Sequence, residues 1–204
     1  MPYRPTERTR ARLAAARERI VEAALLQLAE GGYASASVVA VARRAGVATG
    51  SVYRHFPSKG DLFAEVFRRA AQREVDVLRT MTDRSEPVTN RLAAWVEAFV
   101  RRALAEPVRA YALIAEPVDP AVEAERLTFR RAYADLFERA LHDGIRAGEL
   151  PAQDAQLAAT AIVGALAEAM VGPLQRRDTG ADALVAGLQA FVLQSVGAHV
   201  HAVS

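Results

Sequence analysis

Apolar residues recur three and four positions apart along almost the whole chain, and no run sustains the period-two alternation of a strand. Alanine, leucine, arginine and glutamate, all strong helix formers, fill the intervals. That pattern confines the chain to an all-α fold. Helix-breaking punctuation falls at Gly31-Gly32, Gly46, Pro57, Ser85 to Pro87, Pro107, Pro117 to Pro120, Gly148 to Pro151, Gly172-Pro173 and Asp178 to Gly180. Cutting at these points predicts about nine helices.

The first helix is expected over Arg12 to Glu30, with Ile20, Ala24 and Leu28 on one face. The second follows Ser37, a good N-cap, turns Val38, Val41, Ala42 and Ala45 inward and ends at Gly46. A very short third helix spans Thr49 to His55, and a long fourth begins near Lys59 beyond Pro57-Ser58. A short helix is expected near Pro107 to Ile114. Asp119-Pro120 opens a long one, an N-cap before a proline at the first helical position. Asp143-Gly144 has the composition of a turn, but the apolar stripe continues from Leu141 to Ile145, which puts the stop at Gly148. The last two helices, Ala152 to Val171 and Ala181 to His199, are rich in small residues and have broad apolar faces. Such faces are either core within one chain or half of a four-helix interface between two chains.

Charge is unevenly placed. Residues 1–60 hold ten basic residues against four acidic ones, a net +6 that leaves −4 for the rest of a chain whose total is +2. Lys59 is the only lysine. A basic N-terminal third on a mildly acidic body suggests a head that binds a polyanion and a body with another task. There is no cysteine, which removes disulfides, thiolate metal sites and cysteine nucleophiles. No run approaches the roughly 18 consecutive apolar residues of a membrane span, and the N-terminus lacks the order of a signal peptide. A cytoplasmic protein is the expectation.

The chemistry concentrates in Ser37 to Leu62, SVVAVARRAGVATGSVYRHFPSKGDL. Two turns of helix, a glycine-centred turn and two more turns of helix make a helix-turn-helix. Gly46 supplies the left-handed residue of the turn, Ala42 is small where the second helix crosses, and Val41, Val47 and Val52 are the shared core. The second helix presents Thr49, Gly50, Ser51, Tyr53, Arg54 and His55, a polar face of a size to enter a major groove. Hydroxyls near its start suit phosphates, Arg54 suits guanine O6 and N7, and Lys59 and the capping Ser37 complete the candidate DNA-binding set.

On these residues the chain resembles the tetracycline-repressor family of transcriptional regulators. The resemblance covers residues 20–62 and rests on Ile20, Ala23, Ala24, Gly32, Tyr33, Ala42, Ala45, Gly46, Val47, Tyr53, Phe56, Ser58 and Lys59, followed by Leu62 and Phe63. It implies a DNA-binding domain over 1–60 and an effector-binding and dimerisation domain over 61–204. It also implies Tyr53 and Lys59 as phosphate contacts, and Thr49, Gly50, Ser51, Arg54 and His55 at or near the groove. The partners it implies are a near-palindromic double-stranded operator, a small-molecule effector and a second copy joined through the last two helices, with no cofactor. Ala48 departs from the family, which often has a capping serine there, so Thr49 is the expected cap; Val39 offers no hydrogen bond to a base. The N-terminal arm with Arg4, Arg8, Arg10 and Arg12 either lies over phosphates or a minor groove or is a tail without contacts.

Trp95, Phe99, Tyr111, Phe129, Tyr133, Phe137 and Met170 are the candidates to line an effector pocket, although an ordinary helical core would bury the same residues. A mostly apolar effector is the expectation, with Arg102 and Arg130 as candidate partners should it be anionic. An enzyme would need a positioned nucleophile and base or a metal, and neither constellation is present in the sequence. His199 and His201, two apart, cannot share a helix face, so no metal site is expected. The alternative to a regulator is a helical protein–protein adaptor without DNA binding, which would not account for Tyr53, Arg54 and Lys59 falling together in a basic segment.

Overall fold

The computed structural model describes residues 6–81, 85–176 and 180–198. Among them lie nine α-helices and no strand: α1 (Glu7–Ser35), α2 (Val38–Ala45), α3 (Thr49–His55), α4 (Lys59–Thr80), α5 (Val88–Ala105), α6 (Pro107–Ile114), α7 (Pro120–Arg146), α8 (Ala155–Arg176) and α9 (Ala181–Ser195).

Helix α1 is longer at both ends than its periodicity suggests. The Thr6 hydroxyl accepts from the Thr9 N–H at 3.3 Å, so the basic arm is helical from Glu7 and carries Arg8, Arg10 and Arg12; Arg4 lies outside the described residues. At the other end the chain passes a kink at Gly32 (φ 73°, ψ −173°) and continues to Ser35. Helix α8 starts three residues late, because the Asp154 carboxylate accepts from the Leu157 N–H at 3.0 Å and caps it there. It also runs through Gly172-Pro173 to Arg176. Proline removes one backbone donor and crowds the preceding turn, which this last turn of α8 tolerates with Pro173 buried. Beyond α9 the chain turns at Gly197 (φ 71°), where Ala198 N–H reaches Leu193 O at 3.0 Å. His199 and His201 lie outside the described residues.

Two apolar cores organise the molecule. In the head, Ile20, Ala24 and Leu28 of α1 meet Val38 and Val41 of α2, Val52 of α3, and Leu62, Phe63, Val66 and Phe67 of α4. Ala112 of α6 and Val122 of α7 enter the same core. In the body, Val75 and Leu78 of α4 pack with Leu92, Trp95 and Val96 of α5, Phe137 and Leu141 of α7, Ile162, Leu166 and Met170 of α8, and Val192 of α9. Helices α4, α6 and α7 thus contribute to both cores, and α4, with four large side chains in the head core, links them as a rod.

Helix α8 has the length and composition of a membrane-crossing helix, with a mean hydropathy of 1.7 over its most apolar 18 residues. Counting consecutive apolar residues overlooked it, because Gln156, Thr160 and Glu168 interrupt the run. Ala155, Ala159, Ile162, Leu166 and Met170 turn its buried face to the body core. The outer side presents exposed Leu157, Ala161 and Gly164, and α9 likewise exposes Ala183, Ala186, Ala190 and Phe191.

Asp143-Gly144 is helical, as the apolar stripe indicates, and Gly144 serves packing rather than turning. Its position lies against α5, where an added Cβ would sit 2.6 Å from Val88 Cγ1. Gly144→Ala gains helix propensity worth about 1 kcal/mol and meets an overpacking penalty of roughly 1–3 kcal/mol. The expected outcome is a lower urea midpoint with an unchanged slope; a raised midpoint would show that α5 gives way freely.

Candidate nucleic-acid interface and effector cavity

The turn between α2 and α3 is built on Gly46 (φ 67°, ψ 38°). Val47 N–H donates to Ala42 O at 3.0 Å and Gly46 N–H to Arg43 O at 3.3 Å, the paired Schellman bonds that close a helix. Val41, Ala42 and Val52 are buried and Val47 packs against them, so the two helices hold one fixed crossing. Ala48 occupies the N-cap of α3 without a side-chain bond, and Thr49 is the first helical residue rather than the cap. Ser37 caps α2, its hydroxyl accepting from Ala40 N–H at 3.2 Å. Its own O–H remains available to donate.

Outward from this crossing, Gly50, Tyr53 and Arg54 are exposed and Thr49, Ser51 and His55 partly so, whereas Val52 is buried. Tyr53 is 49% exposed with its ring free of the core, and Val39 on α2 is 66% exposed. Lys59 is placed differently from a free surface lysine. Its ammonium donates to Tyr33 O at 3.0 Å and lies 4.2 Å from the centroid of the Tyr33 ring. One of three donors is thus engaged, and the side chain is held at the point where head meets body.

That junction is a continuous polar seam. Glu116, buried in the α6–α7 connection, accepts from Tyr33 N–H at 2.7 Å and Ala34 N–H at 2.9 Å, the two amides freed by the kink of α1. Only glycine fits at the kink, since a Cβ on Gly32 would lie 2.8 Å from Glu116 Oε2 at a positive φ. The Tyr33 hydroxyl donates to Asp119, and burial together with that carboxylate pushes its phenol up. From the body side Arg126 of α7 donates to Leu113 O and Ala112 O at 3.1 Å each and to Glu116 O at 2.6 Å. Sequence reasoning missed Glu116, Asp119 and Arg126 because nothing local marks them: the partners of Glu116 and Asp119 at Tyr33 and Ala34 lie more than 80 positions away, and those of Arg126 are backbone carbonyls 10 to 14 positions earlier.

Along α4 the buried Glu65 gathers three arginines. Arg17 reaches it at 3.3 Å from α1, Arg69 at 2.8 Å, and Arg68 closes on its other oxygen. Arg69 also binds Glu18 of α1. Burial alone would push the Glu65 carboxyl up, but the bonds from Arg17 and Arg69 outweigh it and bring it down to about 2.

A cavity of about 120 Å³ opens in the body between α4, α5, α6, α7 and α8. Trp95, Phe99, Phe129, Tyr133 and Phe137 line it. Tyr111 and Met170 do not: Tyr111 takes a hydrogen bond from Gln175 at 3.1 Å on the surface, and Met170 is fully buried in the core behind the wall. The wall also includes Phe67, Leu78 and Leu166, and Phe67 belongs to the head core as well. Four arginines line it: Arg102, Arg109, Arg126 and Arg130. Arg102 is bound by Glu74 at 2.7 and 3.0 Å, so it is occupied rather than free for a ligand. Burial pushes the Tyr133 phenol up, with Glu74 adding to the effect, so this hydroxyl keeps its proton. The Trp95 indole N–H has no hydrogen-bond partner among the described residues.

Two family models match separate parts of the chain. The family model described as bacterial regulatory proteins, tetR family, matches residues 20–66. A second, described as the tetracyclin repressor-like C-terminal domain, matches residues 85–170. The HTH-type transcriptional repressor KstR of Mycolicibacterium smegmatis is 42% identical over 69 residues, 34% of this chain and 32% of that relative. The matched segment thus spans about a third of the curated relative. Over the whole fold, the fatty acid degradation regulator FadR from Bacillus halodurans superposes with a TM-score of 0.75 at 26% identity, covering 87% of this chain and 94% of that one. FadR from Bacillus subtilis, solved in complex with stearoyl-CoA, gives a TM-score of 0.74 at 21% identity, over 88% and 98% of the two chains.

The arginine cluster on Glu65 makes a pH prediction. Its folded value of about 2 lies below the ordinary 4.5. The stability it contributes is therefore complete above pH 4.5 and is lost as pH falls toward 2. Glu65→Gln is expected to lower stability at pH 7 by about 2–3 kcal/mol. The difference from the parent protein should shrink between pH 5 and pH 3 in urea denaturation. A gap that stays constant over that range would mean the carboxylate charge is not what the arginines hold.

Proposed function

The chain belongs to the tetracycline-repressor family of bacterial regulatory proteins, and from that premise we propose that it is a cytoplasmic, dimeric DNA-binding repressor released by a small, mostly apolar effector. The observation that carries the reading is the shared seam: Arg126 lines the cavity and binds Glu116 O, while the Glu116 side chain binds the head. A change inside the cavity therefore has a short hydrogen-bonded route to the element that orients the helix-turn-helix.

In this reading residues 1–60 form the DNA-binding domain and 61–204 the effector and dimerisation domain. Helix α3 enters the major groove. Tyr53, Lys59 and Ser37 bond phosphates, with Thr49 and Ser51 at the start of α3. Arg54 and His55 face base edges, and Gly50 lets the backbone approach closely. Lys59 serves from a fixed position, since its bond to Tyr33 O leaves two donors for a phosphate. Helices α8 and α9 pair with their counterparts in a second chain, which covers the exposed small-residue face around Leu157 and Phe191. Two heads then meet successive major grooves about 34–36 Å apart.

Release requires the effector to bind better to a conformation with the wrong separation. Phe67 and Arg126 connect cavity and head directly, the guanidinium lying 5.9 Å from the Phe67 ring centroid. The stearoyl-CoA complex of the Bacillus subtilis neighbour supports an apolar occupant for a cavity walled largely by aromatic and aliphatic side chains.

Fluorescence anisotropy against short duplexes tiling the DNA beside the gene tests the reading. Saturable, salt-sensitive binding to one near-palindromic tile is expected. Tyr53→Phe and Lys59→Ala should weaken all sequences alike, whereas Arg54→Ala should lose about 1–3 kcal/mol at particular base pairs. No binding at low salt would overturn the assignment. Sedimentation of the purified protein at micromolar concentration should show a dimer that Leu157→Glu with Phe191→Glu converts to monomer; a parent protein already monomeric would refute the α8–α9 interface.

A further inference from the structure

The cavity distributes its charges asymmetrically. At one end Arg102 and Arg109 are answered from within the wall by Glu74 and Glu106, at 2.7 Å and 2.8 Å respectively. Glu74 also reaches Arg109, at 3.3 Å. A carboxylate arriving there would meet two carboxylates already in place. Arg126 and Arg130 stand apart from those pairs, one turn apart on α7, with no acidic residue of the wall bound to them. Arg126 is 8% exposed and distributes its donors over three backbone carbonyls and Glu123, which is not part of the wall. Arg130 has only a marginal bond, to Ile114 O at 3.4 Å, and no carboxylate partner among the described residues. Like charges at this spacing repel, and burial together with Arg130 pushes the Arg126 guanidinium down.

The space beside these arginines is compact and apolar. Its volume of about 120 Å³ is near the roughly 150 Å³ of a protein cavity known to hold benzene. A body of one ring or a short acyl chain is what fits without moving the walls.

We propose that the effector is a compact apolar monocarboxylate, its body among Phe67, Trp95, Phe129 and Phe137 and its carboxylate on Arg126 and Arg130. The inference rests on the regulator reading for its biological sense, but it makes a chemical statement about the cavity alone. A bridging carboxylate adds one negative charge, which together with Glu123 on Arg126 balances the two guanidiniums, and it offers Arg126 a stronger acceptor than a backbone carbonyl. It thereby draws donors from Glu116 O, the body-side anchor of the seam. Because the ligand class is set by a charge pair, a neutral molecule of equal shape is a poor substitute.

Trp95 is the single tryptophan and lines the cavity, so its emission reports occupancy without DNA. The full-length protein is titrated with phenylacetate and hexanoate, and with their neutral amides, phenylacetamide and hexanamide. At least one acid is expected to change Trp95 emission saturably and to bind about tenfold or more tighter than its amide. Arg130→Gln should remove about that tenfold preference, weakening the acid while shifting the amide little. Equal affinity for acid and amide, equal losses of both in Arg130→Gln, or no response to either acid at millimolar concentration would each overturn the proposal. So would a response to stearoyl-CoA alone, which would move the ligand class to thioesters. Failure here with operator binding intact would leave the regulator reading standing. Acid binding without operator binding would do the reverse.

Discussion

The buried carboxylate of Glu116 on the Tyr33 and Ala34 amides is the interaction on which the relation of head to body depends. Helix α1 breaks at Gly32, and the break exposes two amides that its own ladder no longer satisfies. Left unpaired, the buried Tyr33 amide would cost about 1–3 kcal/mol and the half-buried Ala34 amide less. A carboxylate also resists burial unless its oxygens are occupied. The kink and the acid therefore justify each other: neither is stable alone, and together they fix the angle at which α1 leaves the body. The Tyr33 ring is held by the same arrangement, with its hydroxyl on Asp119 and Lys59 against its face.

The parts of the molecule that could be read from sequence are those whose physics is local. A glycine three residues after Arg43, valines at the crossing and a capping serine are all decided within a few residues, and α2, α3 and the starts of α4 and α7 fall where those signals place them. The long helix α7 was legible through its stripe, which also marked Phe129, Tyr133 and Phe137 as inward-facing. Failures occurred where tertiary partners decide. Pro173 does not end α8, and Thr49 does not cap α3. Lys59 turned out to be held at the junction because the Tyr33 carbonyl, 26 positions earlier, accepts from it. Glu116 sits in a stretch of loop composition, Ala-Glu-Pro-Val-Asp-Pro, that announces a connection and says nothing of what it binds.

The cavity was half legible for a related reason. Periodicity tells which side of a helix is buried and not whether that side meets another side chain or a space. Met170 and Trp95 have the same standing in sequence, yet one lies in the solid core and the other lines the wall. The arginines were harder still. Arg102 and Arg130 look alike as positively charged residues on long helices. Only the position of Glu74, 28 residues before Arg102, separates an engaged guanidinium from one without a carboxylate partner among the described residues.

The location of the cavity matters as much as its chemistry. Its walls take Phe67 from the rod that enters the head, Arg126 from the seam that anchors α1, and Leu166 from the helix whose other side presents the small-residue face. A ligand placed there touches α4, which enters the head, Arg126 of the seam, and α8, one of the two helices on which the proposed dimer is built. Such a ligand does not need to push on a distant lever. It has only to prefer one arrangement of α4, α6 and α8 over another, by about 1.4 kcal/mol for each tenfold change in operator affinity. Close-packed interiors pass small displacements on rather than absorbing them. A seam of short hydrogen bonds between Arg126, Glu116 and the α1 kink has little slack in which such a displacement can be lost.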